Sequence, residues 1–157
     1  QFFSGLRENP DAEWNNPIIT QTNGLVAVRH IRFHSMCEHH LLPFFGTAHI
    51  AYYPRGGRIA GFGHFVQAVD ILARRPQLQE RLTEQLCQSI NRGLQPEGVL
   101  VIVQATHLCL TMRSAMAADS NIITASSSGC LAAGTEAYKE AWDMLMAGKH
   151  SGDTQKG

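Results

Sequence analysis

This sequence predicts an α+β fold, an antiparallel β-sheet with helices packed on one face, and three observations lead there. Strand-like segments come as two neighbouring pairs, two helical segments lie between the pairs, and a further helical segment closes the chain. The 157 residues, 44% hydrophobic and 17% charged, supply one buried core and are far from the composition of a disordered chain. The expected order is β-β-α-α-β-β-α in a single domain over residues 1–147, followed by a loose polar tail at 148–157.

Residues 1–23 are polar and punctuated by Pro and Asn, with no hydrophobic period beyond Phe2-Phe3 and Ile18-Ile19, so they read as an irregular lead-in. From Leu25 to about Ser35 the side chains alternate and are rich in β-branched and aromatic types, the mark of a strand. A second strand covers about Phe45 to Tyr53 and stops at the turn Pro54-Arg55-Gly56-Gly57. Residues 64–75 place Phe65, Ala68, Val69, Ile71 and Leu72 on one helical face. Residues 77–94 repeat Leu78, Leu82, Leu86, Ile90 and Leu94 at every fourth position, and Pro76 separates the two helices. The run Val99-Leu100-Val101-Ile102-Val103 reads as a buried strand continuing toward Met112, and Asn121 to Leu131 as a weaker fourth strand. Tyr138, Ala141, Trp142 and Leu145 mark the closing helix. Four strands leave a small open sheet whose edges invite pairing with another copy of the chain.

Thirteen basic residues balance thirteen acidic ones. Such a chain has no overall field to draw it onto nucleic acid or anionic lipid, so neither is an expected partner. No apolar run approaches the ~20 residues of a bilayer crossing. A chain with its own core does not need Cys37, Cys87, Cys109 and Cys130 as staples, and a reducing, cytoplasmic setting is expected. The opening Gln1-Phe2-Phe3 carries no initiator Met, which suggests a trimmed form of something longer. Six of the eight histidines (His30, His34, His39, His40, His49, His64) fall close together, which directs attention to imidazole chemistry.

Cys37-Glu38-His39-His40 forms the sharpest cluster, together with His107-Leu108-Cys109 near the end of the third strand. Cys37 and His40 stand at Cys-x-x-His spacing, which lets one turn of chain bring a thiolate and an imidazole to the same tetrahedral Zn2+; Cys109 would be the third ligand. Three protein ligands leave the fourth position to water, whose pKa zinc lowers from about 15.7 to about 7. Strand alternation would put His107 and Cys109 on one sheet face. His39 and His107, beside the ligands without being among them, suit general acid–base work. Spacing alone equally allows two buried thiols among hydrogen-bonded histidines.

The strings SMCEHHLLPFFGTAHIAYYP, ARRPQLQERLTEQL and QATHLCLTMR closely resemble the GTP cyclohydrolase I family, and the similarity runs from about Phe2 to Leu145. The resemblance implies a zinc hydrolase of cyclic amidine C–N bonds, of the kind that converts GTP to dihydroneopterin triphosphate and formate in pterin or folate synthesis. It implies the T-fold, assembled as a homo-oligomeric barrel, a decamer or similar ring, with active sites between subunits. It also implies zinc on Cys37, His40 and Cys109, and a guanine edge bound by Gln79 and Glu80, where a carboxylate accepts from the ring N–H and the exocyclic amine. Of the residues that hold the phosphates in the family, Arg113 is retained.

The stretch after the second strand departs from that pattern. Where the family usually has Gly-Leu-Ser-Lys and then an Arg three residues after the Lys, this chain reads Gly61-Phe62-Gly63-His64-Phe65-Val66-Gln67. His64 is left as a weaker substrate contact, and each lost charge-assisted hydrogen bond to a triphosphate is worth roughly 1.5–3 kcal/mol. The expected reaction is therefore opening of the imidazole ring at C8 of a guanine compound with fewer phosphates than GTP, or of guanine itself. Ordinary GTP cyclohydrolase I activity is one alternative, and a non-catalytic T-fold binding subunit is another.

Overall fold

The computed structural model describes residues 4–112, 116 and 119–148. The lead-in is more ordered than its composition suggests. It contains two 3-10 turns, Ser4–Leu6 and Pro10–Trp14, and a two-residue strand β1 (Ile18–Ile19). Asn9 caps the second turn by accepting from Asp11 N–H at 3.0 Å, and Pro10 takes the first position, where no N–H is needed. Trp14 anchors the segment: it is 2% exposed, lies 5.0 Å from the Phe65 ring, and donates from Nε1 to Ser89 Oγ at 2.9 Å.

The strands and helices then follow as β2 (Val26–Cys37), β3 (Pro43–Tyr53), β4 (Arg58–Ile59), α1 (Phe62–Ala73), β5 (Pro76–Gln77), α2 (Gln79–Leu94), β6 (Gly98–His107), α3 (Leu108–Thr111), β7 (Ile122–Gly129) and α4 (Glu136–Met146). The main sheet has five strands in the order β5-β2-β3-β6-β7, antiparallel except for the short parallel pair of β5 with Met36 and Cys37. β4 pairs with β1 in a separate two-stranded ribbon. The two-residue strands β1, β4 and β5 are too short to carry a hydrophobic period, which is why pattern reading passes over them.

Alternation sorts the long strands into two faces. Ile31, Phe33, Phe44, Ile50, Tyr52, Val99, Val101 and Val103 pack with Phe65, Leu72, Leu82, Leu86 and Ile90 of α1 and α2 in the larger core. Ala51, Leu100 and Ile102 face the other way and meet Leu131, Ala141 and Leu145, so α4 covers part of the second face. The helices are thus not all on one side. β6 is buried on both faces over Val99–Val103, as its unbroken apolar run requires.

β6 does not continue toward Met112. Its last paired residue is His107, opposite Phe44, because β3 begins only at Pro43, which has no N–H to offer the ladder. The chain turns instead into α3. β2 carries a bulge between Val28 and Ile31 with His30 at φ +59°, and the His30 N–H donates to Nδ1 of the buried His49 at 3.1 Å. Among the described residues β7 has no partner on its outer edge, and β2 has none from Val26 to Ser35. No helix among the described residues is long and apolar enough to cross a membrane. The expected tail falls outside the described residues from position 149 onward.

Candidate active site

One end of the main sheet gathers most of the residues picked out from the sequence. β2 ends there at Cys37, β3 begins there, β6 ends there at His107, and α2 packs across β6. The loop between β2 and β3 is tight: Leu41 N–H donates to Cys37 O and Cys37 N–H to Leu42 O, both at 2.9 Å. Leu41 takes φ +52°, a left-handed conformation that costs a side chain of its kind about 1–2 kcal/mol. His39 and His40 are exposed on this turn, their rings 6.3 Å apart. The turn is held from outside as well. Glu38 N–H donates to Gln77 O of β5 at 2.9 Å, and the Glu38 carboxylate pairs with Arg81 of α2. The hydrogen bond from Arg81 holds the Glu38 carboxyl below its ordinary range.

His107 is 9% exposed, its ring parallel to that of Phe44 with centroids 4.6 Å apart. Its Nε2 lies 2.7 Å from Gln79 Oε1. Burial pushes the imidazole pKa down, and the Glu80 carboxylate opposes it. Gln79 is 2% exposed, and its amide nitrogen donates to Val103 O at 3.1 Å, Ile122 O at 2.9 Å and Thr124 Oγ1 at 3.2 Å. Its side chain is therefore committed inside the protein, with no polar atom left for a ligand. Glu80, the next residue, is exposed in the first turn of α2, where the helix dipole favours a carboxylate.

Cys37 is buried, Cys109 is half-buried, and neither is in a disulfide. The sequence reading placed Cys109 on a strand with His107, sharing a face. The structure corrects this: β6 stops at His107, and Cys109 sits on α3. Two thiols and an imidazole at one end of a sheet match the donor preference of zinc in an open, three-ligand site. Among the described residues, however, no three His, Cys, Asp or Glu side chains converge closely enough to hold an ion. Cys37, His40 and Cys109 thus fit zinc in donor chemistry and share a neighbourhood, not a common centre.

His64 is elsewhere. It lies in the first turn of α1, whose other end leads to β5 beside Cys37, so about 14 Å of helix rise separates it from that end. Its Nδ1 is 2.9 Å from Glu13 Oε2. Arg113 falls outside the described residues. Sequence reasoning missed the Arg81–Glu38 pair and the inward turn of Gln79. Nothing in the sequence marks the pair, since 43 positions separate the two residues. For Gln79 a faint signal existed, an amide flanked by leucine on a helix whose apolar face begins there.

A cavity of about 600 Å3 lined by Tyr53, Glu97 and Cys130 lies at the opposite end of the sheet and contains none of these residues. Comparison with known proteins bears on the chemical end. The family model described as GTP cyclohydrolase I matches residues 1–146. A protein named GTP cyclohydrolase 1 from Geobacillus kaustophilus (strain HTA426) is 42% identical over 147 residues, covering 94% of this chain and 78% of that one. Another of the same name from Bacillus subtilis (strain 168) is 45% identical over 129 residues, 82% of this chain and 68% of that one. The solved structure of the archaeosine synthase QueF-Like in the apo form matches with a TM-score of 0.56 at 22% identity, over 69% of this chain and 97% of that one, a likeness of fold alone. Fold and relatives together define a T-fold hydrolase of cyclic amidine C–N bonds. Within that class, the chain belongs to the GTP cyclohydrolase I family.

Proposed function

We propose that the chain opens the imidazole ring of a guanine compound at C8 with the help of zinc, and that its preferred substrate carries fewer phosphates than GTP. The observation that carries the substrate preference is the Glu13 carboxylate 2.9 Å from His64, at the position where the family usually has a lysine. A carboxylate there repels a phosphate, and a histidine already engaged by it has little to offer one. Gly63 adds no hydroxyl and Gln67 no charge.

In this reading Cys37, His40 and Cys109 hold the zinc, which when bound supplies Lewis-acid activation of water. Glu80 accepts hydrogen bonds from the guanine N1–H and amine, and Gln79 joins it through its main chain at the start of α2. His107, whose imidazole pKa burial lowers, takes up a proton during ring opening, and His39 on the exposed turn delivers one to a ring nitrogen. An attached ribose is needed for ring expansion to a pterin, so a free base would stop at an opened diaminopyrimidine after loss of formate. The separation of His64 from Cys37 within one chain supports a substrate held between copies. The outer edges of β2 and β7, unpaired among the described residues from Val26 to Ser35 and along β7, support a homo-oligomer, which in this reading is a ring on the scale of a decamer. We place the protein in the cytoplasm, as one domain over residues 1–147.

A second reading, in which GTP itself is the substrate, is favoured by the 42% and 45% identity to proteins named GTP cyclohydrolase 1. Turnover of GTP, GMP, guanosine and guanine, followed by formate release and pterin fluorescence, separates the two. A kcat/KM for GTP exceeding that for the other three refutes the preference. Absence of formate from all four refutes the enzyme.

A further inference from the structure

The hydrogen bonds around Gln79 leave no freedom of direction. Thr83 Oγ1 donates to Gln79 O at 2.8 Å, which uses the only hydroxyl proton of Thr83. In the 2.7 Å contact between Thr83 and Thr124 the donor is therefore Thr124, whose oxygen is then free to accept from Gln79 Nε2. The remaining neighbours of that nitrogen are the carbonyls of Val103 and Ile122, which only accept. An amide turned the other way would set its oxygen against both carbonyls, so the orientation is fixed. Oε1 is consequently the atom facing His107, and an amide oxygen only accepts. At 2.7 Å the proton must sit on His107 Nε2.

We infer that Gln79 is a positioning residue: its side-chain amide fixes His107 as the Nε2–H tautomer and leaves Nδ1 as the nitrogen that takes up the proton in the reaction. Nδ1 has no hydrogen-bond partner among the described residues. Phe44, stacked at 3°, keeps the ring from tilting, and a flip of the ring in its own plane would put Cε1 in place of Nε2 opposite Gln79 Oε1. The amide is in turn gripped by two strands, β6 through Val103 and β7 through Ile122 and Thr124. The edge strand β7 thereby acts on the imidazole without touching it. Because the Nε2 proton is held by Gln79, proton exchange with a substrate falls to Nδ1. This assignment rests on the proposed reading of His107 as a proton-transfer group, and it moves the Gln79 side chain from substrate recognition to control of that group.

The test is the nitrogen spectrum of 15N-histidine-labelled full chain at neutral pH, with the His107 signals assigned by their loss in His107→Gln. The expected pattern is a protonated Nε2 and a lone-pair Nδ1. A proton on Nδ1 overturns the inference whatever the activity. Gln79→Met, of similar length but without the amide, should mix the two tautomers and lower kcat by about 10–100-fold while KM stays within about twofold. A raised KM at unchanged kcat would return Gln79 to the substrate and overturn the inference. Should Gln79→Met not fold, the spectrum of the unaltered chain decides alone. Full turnover by His107→Ala would refute the proposed proton transfer while leaving the tautomer assignment intact, so the two failures are distinguishable.

Discussion

Gly93→Ala sets two physical effects against each other, and the structure decides the sign. Gly93 lies in the last turn of α2, where alanine is worth at most about 1 kcal/mol over glycine in an open helix. A Cβ placed at Gly93 would, however, stand 2.2 Å from Cγ and Cδ1 of Trp14 and 2.3 Å from its Cβ. Ordinary carbon contact needs about 3.5–4.0 Å, so the indole would have to retreat by well over 1 Å. It is not free to do so, being packed on Phe65 and bonded through Nε1 to Ser89. Breaking that hydrogen bond costs about 1 kcal/mol and overpacking another ~1–3 kcal/mol. The ceiling is full ejection of the ring, about 4–6 kcal/mol for ~150–250 Å2 returned to water. Set against the helix gain, the expected net loss is about 2 kcal/mol, a fall of roughly 4–8 °C in Tm for a chain of this size. Urea unfolding of Gly93→Ala followed by fluorescence, in a Trp142→Phe background so that Trp14 alone reports, should show a lower midpoint and a red-shifted native emission. A variant more stable than its parent, with unshifted emission, would refute the placement of Trp14 over α2.

Further predictions concern the site and the lead-in. Cys109→Ala should abolish stoichiometric zinc, measured by metal analysis of purified protein; retained zinc would remove Cys109 from the ligand set. Glu80→Ala should weaken binding of guanine compounds by about 1–3 kcal/mol, read by calorimetric titration, because donors on the base are left unpaired. Asp11 accepts from Arg92 and Ser89, and Arg92 holds its carboxyl below the ordinary range. A depressed folded pKa stabilises above the unfolded value near 3.9, and that contribution is lost as pH falls through the lower folded value. Asp11→Asn should thus narrow the stability gap between pH 6 and pH 3 in denaturant titrations, and an unchanged gap would exclude the linkage.

The long elements were legible in the sequence because each obeys one period. Leu82, Leu86, Ile90 and Leu94 form a helical stripe, and Val99 to Val103 an apolar run that only a strand buried on both faces needs. What escaped was decided by partners distant in the chain. β6 ends at His107 because Pro43 ends its neighbour, and no local signal at Cys109 announces a helix there. For the candidate site, residue type and motif single out Cys37 and His107, and the fold places both at one end of the sheet. The conformation of the turn could not be found that way, since Leu41 occupies a left-handed position that glycine normally marks. The inward commitment of Gln79 depends on carbonyls 24 and 43 residues away, and an amide beside a leucine at a helix start gives only a faint hint of which way it faces.

Among the described residues the outer edge of β7 and that of β2 from Val26 to Ser35 are unpaired, and where copies join through them the survival of the folded chain depends on how much of it is present. A ladder between copies contributes free energy only once the copies meet, so resistance to heat and denaturant should rise with protein concentration, by about 1.4 kcal/mol per bimolecular contact for each tenfold increase. Until they meet, each edge presents unpaired N–H and C=O groups to any extended peptide nearby. Assembly in this fold would therefore also be sanitation: a closed ring has no end on which a misfolded segment can grow, whereas a chain diluted below its assembly threshold carries two.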